Sequence, residues 1–295
     1  MNLTSQQFNT LRAKRLFADN LLVFLMQYIG LKLSTFGITP SPLWLATGSS
    51  CAYLFLRGTS VLPGIWLGSL FGFYFEKIGL KLSLECASIL TVQALLLLQF
   101  SYRHLSPTLI FTHQPMFVKY IVFTGLLTAM ISFIFVGICY PVVPHNASFF
   151  QYWVKWWFAN LNAIIIFSCA MVTWDAYASS VQTIKQWTTI YLIFAALLVL
   201  NVALAFSHTL LSTTCLAFSI LLMTVFISVR LGWCGAIAAA FLSGIVLSFA
   251  GFLDAAVFST YSTAMSLFLI QLFLFLNATI GLSATIKPPM FRWFD

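Results

Sequence analysis

Two asparagines, Asn160 and Asn162, lie in an apolar, tryptophan-rich run and are the side chains best placed to hold something. An amide surrounded by hydrocarbon must find a partner, because an unsatisfied polar group there is costly. Each could contact a ligand or hydrogen-bond to a neighbouring helix, and helix-to-helix bonding is the commoner use. Two residues apart on a helix, they face different ways, so at most one lines a given pocket. Trp156 stands one turn before Asn160, and Trp44 with Gly48 opens another apolar run after Pro42. A helix start leaves backbone N–H groups free to meet an anion. Trp44, Gly48, Trp156, Asn160 and Asn162 are therefore the candidate ligand-binding set. Asn201 and Asn277 fit interhelical bonding better. Trp66, Trp153 and Trp157 also sit near run ends, where anchoring at a membrane interface is the expected role.

Other chemistry is poorly represented. The six cysteines lie inside or at the ends of apolar runs without metal-ligand spacing, and they read as small core residues. His104 and His113 share one loop with no third ligand, so no metal is expected. There is no G-x-S-x-G, no H-E-x-x-H and no pair of membrane aspartates, so no catalytic residue, enzymatic activity or cofactor is assigned. Glu85, Asp175 and Asp254 fall near run ends, and Asp19 opens the first run, where a basic residue could pair with it. So few ionisable groups within apolar runs argue against a proton-coupled pump.

The elements that carry these residues belong to a membrane. Of 295 residues, 61% are hydrophobic and only 7% charged, far below the share of about 25% in a soluble domain. Apolar runs occur at about 16–36, 42–57, 61–75, 84–101, 117–139, 150–175, 187–206, 209–229, 233–252 and 262–284. They predict an all-α polytopic bundle of about ten spans, eight if the short second and third runs form a re-entrant hairpin. The net charge of +8 comes from basic residues scattered at run ends, a topology signal rather than a nucleic-acid surface. With the N-terminus inside, only Lys32, Lys77, Lys81 and Lys155 fall outside, which predicts both termini in the cytoplasm. Residues 1–15 read as a cytoplasmic tail, 16–284 as one embedded domain and 285–295 as a second short tail. Asn146 opens a glycosylation-like tripeptide in an outside loop, which carries little weight.

Within this frame the stretch 41–75 is the expected packing centre. Pro63 starts its second half, and Gly64, Gly68 and Gly72 repeat every four residues, forming one small-residue stripe on a helix. Its halves hinge at Arg57 and Gly58. A weak echo follows around Arg230 and Gly232: an apolar span, an arginine with a nearby glycine, then a Gly/Ala-rich span. Such an echo would make a parallel repeat.

The residues Ser41, Pro42, Leu43 and Trp44, then Arg57 and Gly58, then Leu62 to Gly68, resemble the opening motif of the membrane-associated sensor domain family, first type, of bacterial signalling proteins. Trp156 and Trp157 resemble the start of its tryptophan-rich span, Val229 to Gly232 its Arg–Gly step, and Gln271 to Leu274 its last span. The family's sixth-span aspartate is replaced here by Asn160, and its usual C-terminal output module does not follow. The resemblance implies a sensory input domain in the plasma membrane, the inner membrane of a bacterium. It would act as a stand-alone sensor or adaptor coupling an unknown small ligand to a separate kinase, cyclic-nucleotide enzyme or membrane receptor. Arg57, Arg230, Gly232 and Gln271 are the candidates for passing the signal on. The alternative expectation is a small-molecule transporter or its substrate-capturing subunit.

Overall fold

A computed structural model describes residues 5–34, 43–104, 114–141, 148–170, 184–206, 210–252 and 263–285. Helices α1 (Ser5–Ser34), α2 (Leu45–Arg57), α3 (Leu62–Phe75), α4 (Leu80–His104) and α5 (Gln114–Cys139) come first. Next is α6 (Phe149–Ala163), which runs on through a π-helical turn, Ile164–Ser168. Helices α7 (Ile184–Ala205), α8 (Leu210–Phe252) and α9 (Thr263–Thr285) complete the described chain, and no strand occurs among the described residues. Leu45–Phe75, Leu80–His104, Pro115–Cys139, Ser212–Arg230 and Met265–Thr285 are each long and apolar enough to cross a membrane. Leu192–Leu204 and Gly235–Leu247 are shorter apolar helical stretches. The protein is a membrane-embedded helical bundle, and a helix is the natural form because it satisfies its own backbone without water.

One expectation is adjusted, and two hinges stand where they were expected. Residues 5–15, read as part of a polar tail, are the first turns of α1. The two short runs at 42–57 and 61–75 are two helices that fold back on each other at the expected hinge, a 3-10 turn, Gly58–Val61, with Gly58 at φ 67° and ψ −160°. Ala46 meets Gln27 and Ser60 meets Asn20, while Gly64 meets Asn20 and Gly72 meets Leu31. The runs at 209–229 and 233–252 are likewise two helical arms, joined by a sharp kink at Gly232 with φ 62° and ψ −150°. Both breaks fall on glycine because a positive φ is strained for other residues.

The glycine stripe is a docking edge for α1. A Cβ on Gly64 would stand 2.5 Å from the Asn20 carbonyl oxygen, and one on Gly68 2.7 Å from both Gln27 Cβ and the Phe24 carbonyl oxygen. One on Gly72 would meet the Leu31 side chain at 2.5 Å. Backbones this close admit short polar bridges. Asn20 donates to the Ser60 carbonyl at 2.9 Å and accepts from the Gly64 N–H at 2.8 Å, which closes the start of α3 after Pro63. Ion pairs bracket the contact, Asp19 with Arg57 at 3.5 Å and Lys32 with Glu76 at the other end.

The echo can be followed in the pattern of buried residues, at an offset that aligns the two glycines rather than the two arginines. At one constant offset in the numbering, the buried residues Val23, Gln27 and Gly30 of α1 correspond to the buried Leu197, Asn201 and Leu204 of α7. The same offset relates Gly58 to Gly232 and Ser69 to Ser243. A second constant offset relates the buried Gln93, Ala94 and Leu98 of α4 to Asn277, Ala278 and Leu282 of α9. The two halves differ in one respect. Gln27 donates to the Ala46 carbonyl at 2.8 Å and to Ser49 Oγ at 2.7 Å, and it accepts from Ser69 Oγ at 3.3 Å, so it bridges three helices. Asn201, one methylene shorter, donates only to the Leu197 carbonyl of its own helix at 2.8 Å. Its Oδ1 and the Ser243 hydroxyl are buried without a partner among the described residues.

Two outcomes follow for purified protein unfolded thermally in detergent. Gly68→Leu, which forces α3 off α1, should cost about 1–3 kcal/mol, while Gly137→Ala, with nothing within 4 Å of its Cβ position, should cost nothing. Gln27→Asn should lower stability by about 1–2 kcal/mol, the range of an interhelical bond in a membrane protein. Asn201→Gln, with the reach its counterpart uses, should be neutral or stabilising. Equal losses from both exchanges would remove the equivalence of the two halves.

Candidate functional site

Helix α6 positions the site. Ser148 and Gln151 form a reciprocal capping box at its start, the Gln151 N–H to Ser148 Oγ at 3.4 Å and the Ser148 N–H to Gln151 Oε1 at 3.2 Å. Helical periodicity then deals the following side chains onto three sides. Trp153 and Trp157 point to α5, donating their indole N–H groups to the carbonyls of Ala129 and Gly125, each at 2.9 Å. Both were expected to anchor at a membrane interface; the short reach to a neighbouring backbone also makes them ties between helices. Trp66 behaves similarly, donating to Ser88 Oγ at 3.2 Å.

The side toward α2 holds Trp156 and Asn160. The Trp156 ring lies 4.0 Å from that of Trp44, which is wholly buried, and Phe135 packs on both. The Trp44 N–H is not free for an anion, because it donates to the Ala159 carbonyl at 3.1 Å. Its indole Nε1 is buried without a partner among the described residues. Asn160 accepts from Thr47 Oγ1 at 2.6 Å and donates to Ser132 Oγ at 3.2 Å, so one amide holds α2, α5 and α6 together. Gly48 gives up its side chain to this contact: a Cβ there would stand 2.5 Å from the Ala163 carbonyl oxygen and 2.7 Å from Phe167 Cβ. Ser168, in the π-helical turn, donates to the Gly48 carbonyl at 3.2 Å. Trp44, Gly48, Trp156 and Asn160 therefore come together, as a packed joint.

The third side faces α9. Asn162 donates to the Gln271 carbonyl at 2.9 Å, and Gln271 Nε2 donates to the Lys155 carbonyl at 2.9 Å. Asn160 and Asn162 do face different ways. Gln271, expected as a contact for a cytoplasmic partner, is wholly buried between α9 and α6. The carbonyl oxygens of both amides, Asn162 Oδ1 and Gln271 Oε1, have no partner among the described residues. Lys155 was counted with the outside loops, yet it is only 6% exposed. The signal for it was its place inside a tryptophan-flanked run, two turns past the Ser148 cap.

The other candidates lie elsewhere. Arg57 is exposed at the far end of α2 and pairs with Asp19, the partnership expected for that acid. Arg230 is exposed with its guanidinium 5.6 Å from the Phe226 ring centre, one step before the Gly232 break. Gly281, well past Gln271 along α9, packs against Thr224, Ser228 and Ala236, so that break lies toward the Arg57 end of the bundle. Among the described residues, neither asparagine kept for interhelical bonding makes such a bond: Asn201 donates within α7, and both amide atoms of Asn277 lack a partner. Cys51, Cys86, Cys139 and Cys169 are buried as expected, but Cys215 is exposed. Pro42, His113, Asn146, Asp175, Asp254 and the tail beyond 285 lie outside the described residues.

In comparisons with known proteins, no family model, no curated protein and no solved structure matches the chain.

A double-mutant cycle tests the joint. Thr47→Val and Asn160→Leu should each destabilise the purified protein, with a coupling of about 0.5–1.7 kcal/mol. A coupling of zero would show that the two side chains do not share the bond.

Proposed function

We propose that this protein is a ligand-responsive sensor or signalling adaptor of a bacterial inner membrane, as its resemblance to the first-type membrane-associated sensor domain implies. The ten helical segments, with α8 taken as two arms, support ten crossings with both termini inside. On that topology the Trp44 end of the bundle faces outward, and Arg57 and Arg230 face the cytoplasm.

One observation carries the reading. Helix α6 and its π-helical turn supply the principal contacts between the α1–α4 half and the α7–α9 half, through Asn160 on one side and Asn162 on the other. A ligand that binds better to one setting of α6 against α9 shifts the two halves relative to each other, which is what signalling through a bundle requires. The output is a separate kinase, cyclic-nucleotide enzyme or membrane receptor that meets the cytoplasmic surface near Arg230. The recurrence of α1–α4 in α7–α9, with a glycine break in each half, favours a second reading as a small-molecule carrier or its capturing subunit.

Affinity capture of the tagged full chain from native membranes in mild detergent, with partners identified by mass spectrometry, separates the two. Recovery of a signalling enzyme or receptor is expected, and Arg230→Ala should reduce it several-fold without altering thermal stability. Recovery of transport ATPase subunits, or solute uptake by vesicles reconstituted with the protein, would give the assignment to the carrier.

A further inference from the structure

Among the described residues whose exposure is known, Lys155 is the one basic side chain that is buried. It is 6% exposed, and neither of the two ion pairs among the described residues involves it. A cation taken out of water without a partner is costly, and an ionisable side chain inside a membrane bundle is functional by default. Its neighbours explain what would satisfy it. Lys155 and Asn162 stand two turns apart on the side of α6 that faces α9. The Gln271 amide lies between them, bonded to the Lys155 carbonyl. Because Asn162 Nδ2 and Gln271 Nε2 both donate to carbonyls, the orientation of each amide is fixed. The remaining oxygens, Asn162 Oδ1 and Gln271 Oε1, are acceptors without a donor. A helical side chain leans toward the start of its own helix, so Lys155 leans toward the end of the bundle where α2 and α6 begin.

We propose that this seam binds a small monoanionic carboxylate that carries its own hydroxyl group, a hydroxy acid, admitted from the Trp44 end. The carboxylate meets Lys155 Nζ, and the hydroxyl donates to Gln271 Oε1, the nearer of the two acceptors. One buried cation balances one negative charge. A phosphate dianion would leave charge unbalanced and face two amide oxygens that repel it. A zwitterionic amino acid would leave the lysine charge uncompensated. A lipid headgroup would supply an anion too, but the two amide oxygens are fully buried between α6 and α9, away from lipid. The site rests on the reading of the protein as ligand-responsive and gives that reading its ligand class.

The test uses the full chain in phosphatidylcholine nanodiscs, with thermal unfolding and titration calorimetry against three probes at matched ionic strength. Sodium lactate should stabilise and bind. Propionate, which lacks the hydroxyl, should bind about tenfold more weakly, the worth of one hydrogen bond to a buried acceptor. Lactamide, which lacks the charge, should not bind. Lys155→Met should abolish the lactate response, and Gln271→Leu should bring lactate down to the level of propionate while leaving propionate unchanged. If either variant fails to fold, Lys155→Arg, which keeps the charge, and the wild-type probe series decide alone. Equal binding of lactamide, no binding of any probe, or stabilisation only when phosphatidylglycerol is added to the nanodisc would each overturn the site. Lactate binding that leaves partner recovery unchanged in the capture experiment would keep the site and sink the sensor reading.

Discussion

Inside a bilayer a side-chain amide has no water to bond with, so each one that is buried must reach another helix or go unsatisfied. Helix α6 turns this constraint into architecture. Asn160 reaches α2 and α5, and Asn162, turned to the other side, reaches α9. The aromatic joint of Trp44 and Trp156, the close approach at Gly48 and the position of Gln271 all follow from where those two amides hold the helix. Moving α6 by one turn relative to either neighbour would strand several polar groups at once. Its setting is therefore held at discrete positions rather than along a continuum, the property a switching element needs.

The same coupling of packing to polarity operates between α1 and α3. Gln27 reaches Ser69 only because Gly68 lets the two backbones approach, and Asn20 meets the Gly64 N–H for the same reason. The glycines contribute little energy themselves. They set a distance at which short hydrogen bonds form, and these bonds then fix the register of the helices. A small-residue stripe in a membrane protein thus has two tasks, dispersion contact and access for polar side chains.

Much of this was legible in the sequence, for reasons that particular residues show. Composition assigned the all-α membrane class, and the spacing of Gly64, Gly68 and Gly72 marked a helix edge, because both signals depend on local pattern alone. The opposite facing of Asn160 and Asn162 follows from helical geometry without any tertiary knowledge. What escaped was partnership across the chain. Nothing local distinguishes Trp153, bonded to a carbonyl of α5, from a tryptophan at a membrane interface. Lys155 illustrates the cost: near a helix start it reads as a topology charge, and only the packing of α9 against α6 reveals that it is covered. Gln27 went unremarked because its three partners are dispersed over α2 and α3.

The two halves differ where function would need them to. In the first, Gln27 closes its network, Asn20 seals the start of α3, and ion pairs hold both ends of the α1–α3 contact. In the second, Asn201, Ser243, Thr224 and Asn277 each carry a buried polar atom without a partner among the described residues, as do Trp44, Gln93 and Ser101 in the first, but no comparable network closes around Asn201. Unsatisfied buried groups reduce the cost of leaving the present arrangement, since departure breaks fewer bonds. The break at Gly232 lies inside the second half, and the free oxygens of Asn162 and Gln271 lie on its border with α6. An α1–α3 contact closed by hydrogen bonds, joined through one helix to a half in which Asn201 bonds only its own helix among the described residues, gives the bundle a fixed reference and a movable part. A bond donor delivered to the seam acts on the part that has the least to lose by moving.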